Sequence, residues 1–285
     1  MLERIKYFGE SACKRAKAQP RVCPSCGGLE SQFVDRKYWV TELRKCLTCK
    51  LLFRYPNDSP EENFRFYQED YNQGFTTDCP DDAALTHLLD TCFVNSDRDY
   101  SQYLEILRAV GLPQRAKVIE FGASWGYGVW QLARAGYDAI GFEISRPRAR
   151  YAREKLGVRV VDSPSEIVGK ADAVFSSHVL EHVPSVHRVL SMTKEWVNAN
   201  GLFIAFTPNG SAEFRRHNPD DFHKLWNRVH PNFLTEEFYQ QVFEGLPLLL
   251  GSSPYNLDRL SQWGRKGRMA LALDGIELLC VTVLN

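Results

Sequence analysis

The chain has 285 residues, enough for one large domain or for a domain of roughly 200 residues joined to a small module. Thirty-five basic residues balance thirty-five acidic ones, which excludes a global field drawing the protein to nucleic acid or an anionic membrane. No apolar run approaches the ~20 residues of a membrane-spanning helix. The charged N-terminus, MLERIKYFGESACKRAKAQP, lacks the apolar core of a signal peptide and reads as a short amphipathic helix. The expected location is therefore the cytoplasm, where the eight cysteines are thiols or metal ligands rather than disulfides.

Four cysteines fall in two pairs, Cys23-Pro-Ser-Cys26 and Cys46-Leu-Thr-Cys49, with nineteen residues between the pairs. A two-residue gap lets both thiolates of a knuckle face one ion, and two knuckles complete the closed tetrahedral shell of structural zinc. The intervening Phe33-Val34 and Tyr38-Trp39-Val40-Thr41 are β-formers broken by Asp35-Arg36-Lys37, which predicts a hairpin. The spacing is that of a zinc ribbon, and four cysteine ligands leave no open position for a substrate. Cys13, Cys79, Cys92 and Cys280 have no partner spacing and read as incidental thiols.

Ser59-Pro60-Glu61-Glu62 has the cap, the first-turn proline and the third-position glutamate of a helix start. Phe64, Tyr67 and Tyr71 then share one face, either packing against a neighbouring module or presenting a tyrosine hydroxyl to a substrate pocket. Residues 74–82 are polar and turn-like, a linker or lid. A helix is predicted from about Asp97 to Val110, stopped by Gly111.

Lys117-Val-Ile-Glu-Phe121 is a short apolar strand, followed by the loop Gly122-Ala-Ser-Trp-Gly126-Tyr-Gly128 and a helix through Val129–Ala135. A second strand, Ala139–Glu143, ends in an acid twenty-one residues after Gly122, the length of one β-α-β unit. That acid is placed to take two ribose hydroxyls. A dinucleotide loop needs glycines at its third and sixth positions, where this chain has Ser124 and Tyr127. Glu120 before the loop would repel a pyrophosphate but suits a cationic cofactor. The loop therefore points to S-adenosylmethionine (SAM) and away from NAD.

The stretch Val118–Asp162, together with His178-Val-Leu-Glu-His182-Val, resembles class I SAM-dependent methyltransferases. With the ribbon, it is similar to bacterial members that often act on sugars or other small metabolites. The resemblance covers the ribbon and about Lys117–Thr207, and implies an α/β fold with a Rossmann-like seven-stranded sheet and a small N-terminal zinc-ribbon module. The implied division is residues 1–56 for the N-terminal segment and ribbon, 57–112 for a helical connector or lid, and 113–285 for the SAM-binding domain. It further implies that Glu120, Gly122, Ser124 and Gly126 line the cofactor, that Glu143 binds the ribose and that Ile144 lies against adenine. Asp162 would accept from the adenine amino group, or else cap a helix starting near Pro164. Where the family has glycine this chain has Ser124, which leaves the contact made by that residue open.

The fourth strand, Ala173–Ser177, opens the crevice where such sheets bind ligands, and His178, Glu181 and His182 follow at once. Pro184 is expected to start a helix with a buried face of Val186, Val189, Leu190, Thr193 and Val197, before a fifth strand at Leu202–Phe206. A hydroxyl or activated C–H acceptor must lose a proton during methyl transfer, and His178, His182 and His230 are the candidate bases, with Glu181 as an orienting group. The resemblance also implies that His178 touches SAM through its backbone and leaves His182 a structural alternative. Residues 212–230 read as a lid or as a solvated face, with Thr235 capping the helix beyond. An Asn/Asp-Pro-Pro-Tyr motif for planar amines is absent from the end of the fourth strand, where Ser176-Ser177-His178-Val179 stands. The leading expectation is methylation of a hydroxyl on a small molecule or saccharide, since sugar C-methyltransferases of this type carry a further C-terminal domain. A binding or scaffold protein on the same fold, and a ribbon-guided RNA or protein methyltransferase, are the alternatives.

Overall fold

The apolar runs of the chain become strands of two sheets in the computed structural model, which describes residues 2–17, 19–59, 61–62 and 78–284. After a helix over Leu2–Ala16, strands β1 (Ser31–Lys37), β2 (Thr41–Cys46) and β3 (Leu52–Tyr55) pair antiparallel. The turn of this hairpin lies at residues 38–40, not at the charged triplet, and Tyr38 and Trp39 take left-handed φ values of 52° and 63°. Tertiary partners override β propensity here. Asp35 accepts from Trp226 Nε1 at 2.8 Å and Lys37 sits 4.5 Å over the Trp226 ring, which keeps the triplet within β1. Trp39 is left 83% exposed.

Ser59 and Glu62 cap each other, Ser59 N donating to Glu62 Oε2 at 2.7 Å and Glu62 N to Ser59 Oγ at 3.1 Å. The Phe64, Tyr67 and Tyr71 stripe lies outside the described residues. A helix over Asp82–Asp90, capped by Asp81, occupies the end of the expected linker, and the next runs over Ser101–Ala109.

The second sheet comprises β4 (Lys117–Phe121), β5 (Asp138–Phe142), β6 (Val160–Val161), β7 (Ala171–Ser177), β8 (Val197–Pro208), β10 (Leu248–Ser252), β11 (Arg268–Ala270) and β12 (Glu277–Leu284). Its order is β11-β10-β12-β8-β7-β4-β5-β6, with β12 antiparallel to both neighbours. Seven strands match the expected methyltransferase sheet; the eighth, β11, adds three residues parallel to the β10 edge. Residues of β12 alternate between the two faces: Leu278 and Cys280 join one apolar cluster, and Leu279 and Val281 the other. The helix after β7 begins at Val186 rather than Pro184, because Ser185 supplies the cap to Arg188 N.

The ribbon and the large sheet share packing. Cys23, Cys46, Cys49, Leu51 and Phe53 belong to the same cluster as Ile119, Val174 and Leu278. The segment read as lid or solvated face forms helices Ala212–His217 and Pro219–Leu225, whose Phe214 and Phe222 pack with Trp226, Phe233, Leu43 and Leu52. Strand β9 (Asn232–Phe233) then pairs with β3 as the fourth strand of the ribbon sheet. Among the described residues no helix is long and apolar enough to cross a membrane.

Candidate active site and four-cysteine centre

The loop between β4 and the helix Tyr127–Arg134 is clasped from both sides. A Cβ on Gly122 would lie 2.3 Å from Val179 Cγ2, so the loop abuts the segment after β7. A Cβ on Gly128 would meet Glu120 Oε1 at 2.1 Å and Tyr100 at 2.5 Å. Glycine permits both approaches. Glu120 thus points beneath the loop, 2% exposed, accepting from Tyr100 Oη at 2.7 Å. Burial above all, with the nearby charge of Glu143, pushes its carboxyl up to about 8 against the Tyr100 hydrogen bond.

Glu143 follows β5 and is 6% exposed. Its two oxygens accept from Ser124 N and Ser145 N, each at 2.8 Å. Burial raises its carboxyl, and these backbone donors oppose the rise. Ser124 holds a left-handed φ of 49°, the conformation glycine favours, and its buried Oγ has no hydrogen-bond partner among the described residues. Gly126 opens the following helix at φ 87°. Ile144 is 54% exposed beside Glu143. Asp162, just after β6, faces Arg153 at 3.4 Å and Arg146 at 4.0 Å. It caps no helix: the short turn Pro164–Glu166 is entered by Ser163 without a side-chain cap.

Beyond β7, His178 takes φ 54° and donates its backbone N–H to Phe206 O at 2.9 Å. Its Nε2 lies 2.6 Å from Glu277 Oε2 and its Nδ1 3.4 Å from Glu181 Oε1. Glu277 also accepts from Tyr103 Oη and Tyr255 Oη, each at 2.7 Å. It opens β12 opposite Pro208, which brings the carboxylate to the C-terminal ends of β7 and β8. Burial works to lower the His178 imidazole, but the two carboxylates win and push it up to about 10. Burial likewise works to raise Glu181, but His178 and the other imidazoles hold it at about 2.

The remaining candidates turn elsewhere. His182 Nδ1 donates to Val229 O and His230 Nδ1 to Leu225 O, both at 2.7 Å, and the two rings meet edge-on with centroids 4.8 Å apart. The structure therefore brings His178, Glu181, His182 and His230 into one neighbourhood with distinct partners. Tyr100, Tyr103, Tyr255 and Glu277 were not singled out by the sequence. The i, i+3 spacing of Tyr100 and Tyr103 ahead of the cofactor strand is the one local signal they leave.

In the ribbon, Cys23 Sγ lies 3.6 Å from Cys49 Sγ and Cys26 Sγ 3.6 Å from Cys46 Sγ, and all four are free thiols. Around a tetrahedral ion with bonds of about 2.3 Å, sulfurs stand roughly 3.8 Å apart. The cluster is consistent with a zinc ribbon. Its first knuckle touches the helix behind the histidine segment: Ser25 Oγ accepts from His187 N at 3.0 Å, and Ser185 Oγ donates to Ser25 O at 3.2 Å.

A family profile described as a methyltransferase domain matches residues 95–246, more than half of the chain. An uncharacterized methyltransferase of Alkaliphilus oremlandii (strain OhILAs) is 26% identical over 190 residues, covering 61% of this chain and 84% of that protein. Among solved structures, the plantazolicin methyltransferase BpumL with SAH and a pentazolic analog covers 72% of this chain and 92% of its own, at 9% identity and a TM-score of 0.48. A TehB-like SAM-dependent methyltransferase from Corynebacterium glutamicum covers 71% and 97%, at 16% identity and a TM-score of 0.46. With the strand order of the large sheet and a family match spanning its cofactor loop and β7–β8, the chain belongs to the SAM-dependent methyltransferases.

Proposed function

We propose that the enzyme transfers the SAM methyl group to a hydroxyl of a small metabolite or sugar conjugate. The observation that carries this reading is the Glu277 carboxylate, drawn by His178, Tyr103 and Tyr255 to the mouth of β7 and β8. Methyl transfer is an in-line displacement. The acceptor oxygen forms a bond to the methyl carbon, the carbon–sulfur bond breaks, and its electron pair stays on sulfur as the neutral thioether. The hydroxyl proton becomes strongly acidic as the new bond forms, so an oriented carboxylate suffices to take it. Glu277 is that acceptor, and His178 and the two tyrosines position it and steady its charge.

On the cofactor side, Gly122, Ser124 and Gly126 carry the backbone past the methionine and ribose. Glu143 takes the ribose hydroxyls, Ile144 covers the adenine, Asp162 accepts from its amino group, and Glu120 supports the loop from below. Cys23, Cys26, Cys46 and Cys49 hold a structural zinc. The test is a mass-spectrometric screen of hydroxylated acceptors with SAM, run on wild type and Glu277→Gln. Methylated oxygen in the product, with turnover lost in the variant and S-adenosylhomocysteine (SAH) binding kept, supports the reading. A methyl group found on carbon or nitrogen, or a variant as fast as wild type, sinks it.

A further inference from the structure

Beside the Glu277 network lies a cluster that proton transfer to Glu277 does not use. The Nδ1 atoms of His182 and His230 each face a backbone carbonyl, Val229 O and Leu225 O, at 2.7 Å. A carbonyl only accepts, so each Nδ1 carries a proton, and Nε2 is the nitrogen that each ring can offer to an ion. This is the outer-shell arrangement that orients metal-binding imidazoles. His182 Nε2 lies 3.8 Å from Glu181 Oε1, and one ligand atom from each of Glu181, His182 and His230 falls within 4.8 Å of the others. Donors on a tetrahedral ion with bonds of about 2.0–2.1 Å stand roughly 3.4 Å apart. Small side-chain movements close the difference.

Glu181 supplies the second, independent observation. The residue is fully buried, and neither carboxylate oxygen makes a hydrogen bond among the described residues. The nearest imidazole nitrogen, His178 Nδ1 at 3.4 Å, offsets its charge without hydrogen-bonding it. Asn232 Oδ1, also buried, has no hydrogen-bond partner among the described residues, and Asn232 N donates to Glu181 O at 3.1 Å. Both carboxylate oxygens thus keep open acceptor positions towards the two histidines.

We infer that Glu181, His182 and His230 hold a divalent transition-metal ion, best matched to Zn2+, separate from the four-cysteine centre. Two imidazoles and one carboxylate leave coordination positions open, unlike four thiolates. The site's role rests on the hydroxyl-methylation reading: held by Glu181, His182 and His230, such an ion would supply Lewis acidity to an acceptor oxygen beside the Glu277 network. Binding of the metal itself does not depend on that reading.

The test loads the full chain with Zn2+, removes loosely held ion, and counts metal per chain by plasma mass spectrometry, with SAH calorimetry on the same samples. Wild type is expected to retain two equivalents and His182→Gln/His230→Gln one. The single variant His230→Gln, which keeps the Glu181–His178 contact, carries the same expectation should the double variant fail to bind SAH. Replacement by Co2+ identifies the ligands: one equivalent shows thiolate-to-metal charge transfer, and the other, lost in His230→Gln, does not. One retained equivalent of thiolate character in wild type overturns the site, as does a second equivalent that survives the histidine substitutions. SAH binding with one equivalent defeats the metal site and leaves methyl transfer standing; two equivalents without SAH binding support the metal site and defeat the enzyme reading.

Discussion

The two halves of the proposed active site are built from different materials. The cofactor half is mostly backbone: Gly122, Ser124 and Gly126 take left-handed conformations, and Glu143 is fixed by two backbone N–H groups. The acceptor half is mostly side chain, with Tyr103, His178, Tyr255 and Glu277 arriving from four separate stretches of chain. A backbone-lined site tolerates changes to neighbouring side chains. A side-chain network is retuned by single substitutions while the sheet beneath stays intact. One cofactor half can thereby serve many acceptor halves.

The sharpest way to break this contrast is Glu143→Gln. Weakening charge-assisted hydrogen bonds to the ribose is expected to cost about 3 kcal/mol, or ~100-fold in SAH affinity by calorimetry. An affinity within a few-fold of wild type would remove Glu143 from the cofactor half. Glu277→Gln is expected to lower turnover by ~100-fold and leave SAH affinity within about two-fold, which single-turnover kinetics and calorimetry separate. Equal losses in both would merge the two halves into one. Gly128→Ala places a methyl against Glu120 and Tyr100 and is expected to destabilise the fold by about 1–3 kcal/mol in urea titration.

Smaller effects sharpen the picture of the loop. Glu120, faced by Tyr100 and Glu143, has a folded-state value of about 8 against 4.5 unfolded, so the folded chain holds the extra proton between those values. Its contribution to stability is complete below the unfolded value and is lost as pH rises towards 8. Glu120→Gln should remove up to about 1.4 kcal/mol per pH unit of that slope in denaturation series from pH 5 to 8. A variant slope matching wild type would place the Glu120 proton elsewhere. Ser124→Gly is expected to shift stability by less than about 1 kcal/mol, relief of the left-handed φ being offset by added freedom in the unfolded chain. A large loss of SAH affinity in that variant would assign the serine hydroxyl a cofactor contact.

The β-α-β unit that carries the proposed cofactor half was readable in the sequence because it is contiguous. Gly122 and Glu143 belong to one β-α-β unit, whose length is dictated by the geometry of crossing from one parallel strand to the next. The four cysteines were readable for the same reason, each knuckle closing over two intervening residues. Tyr103 and Glu277 left no such trace, being 174 residues apart and joined only once β12 has paired with β8. The hairpin turn was misplaced because Asp35 and Lys37 are held in β1 by Trp226, far along the chain. Short-range patterns record short-range constraints, and the acceptor half is made of long-range ones.

Strand β9 gives the molecule a property that neither sheet has alone. Asn232 and Phe233 complete the ribbon sheet, while Asn232 Nδ2 also donates to Val183 O at 2.6 Å, just past the histidine segment. Two residues earlier, His230 sits edge-on to His182. Breaking the four-cysteine cluster is therefore expected to loosen the strand that leads out of His230, and the ribbon and the large sheet should unfold in one cooperative transition rather than two. The cysteine cluster is thereby tied through β9 to the geometry around His182 and His230.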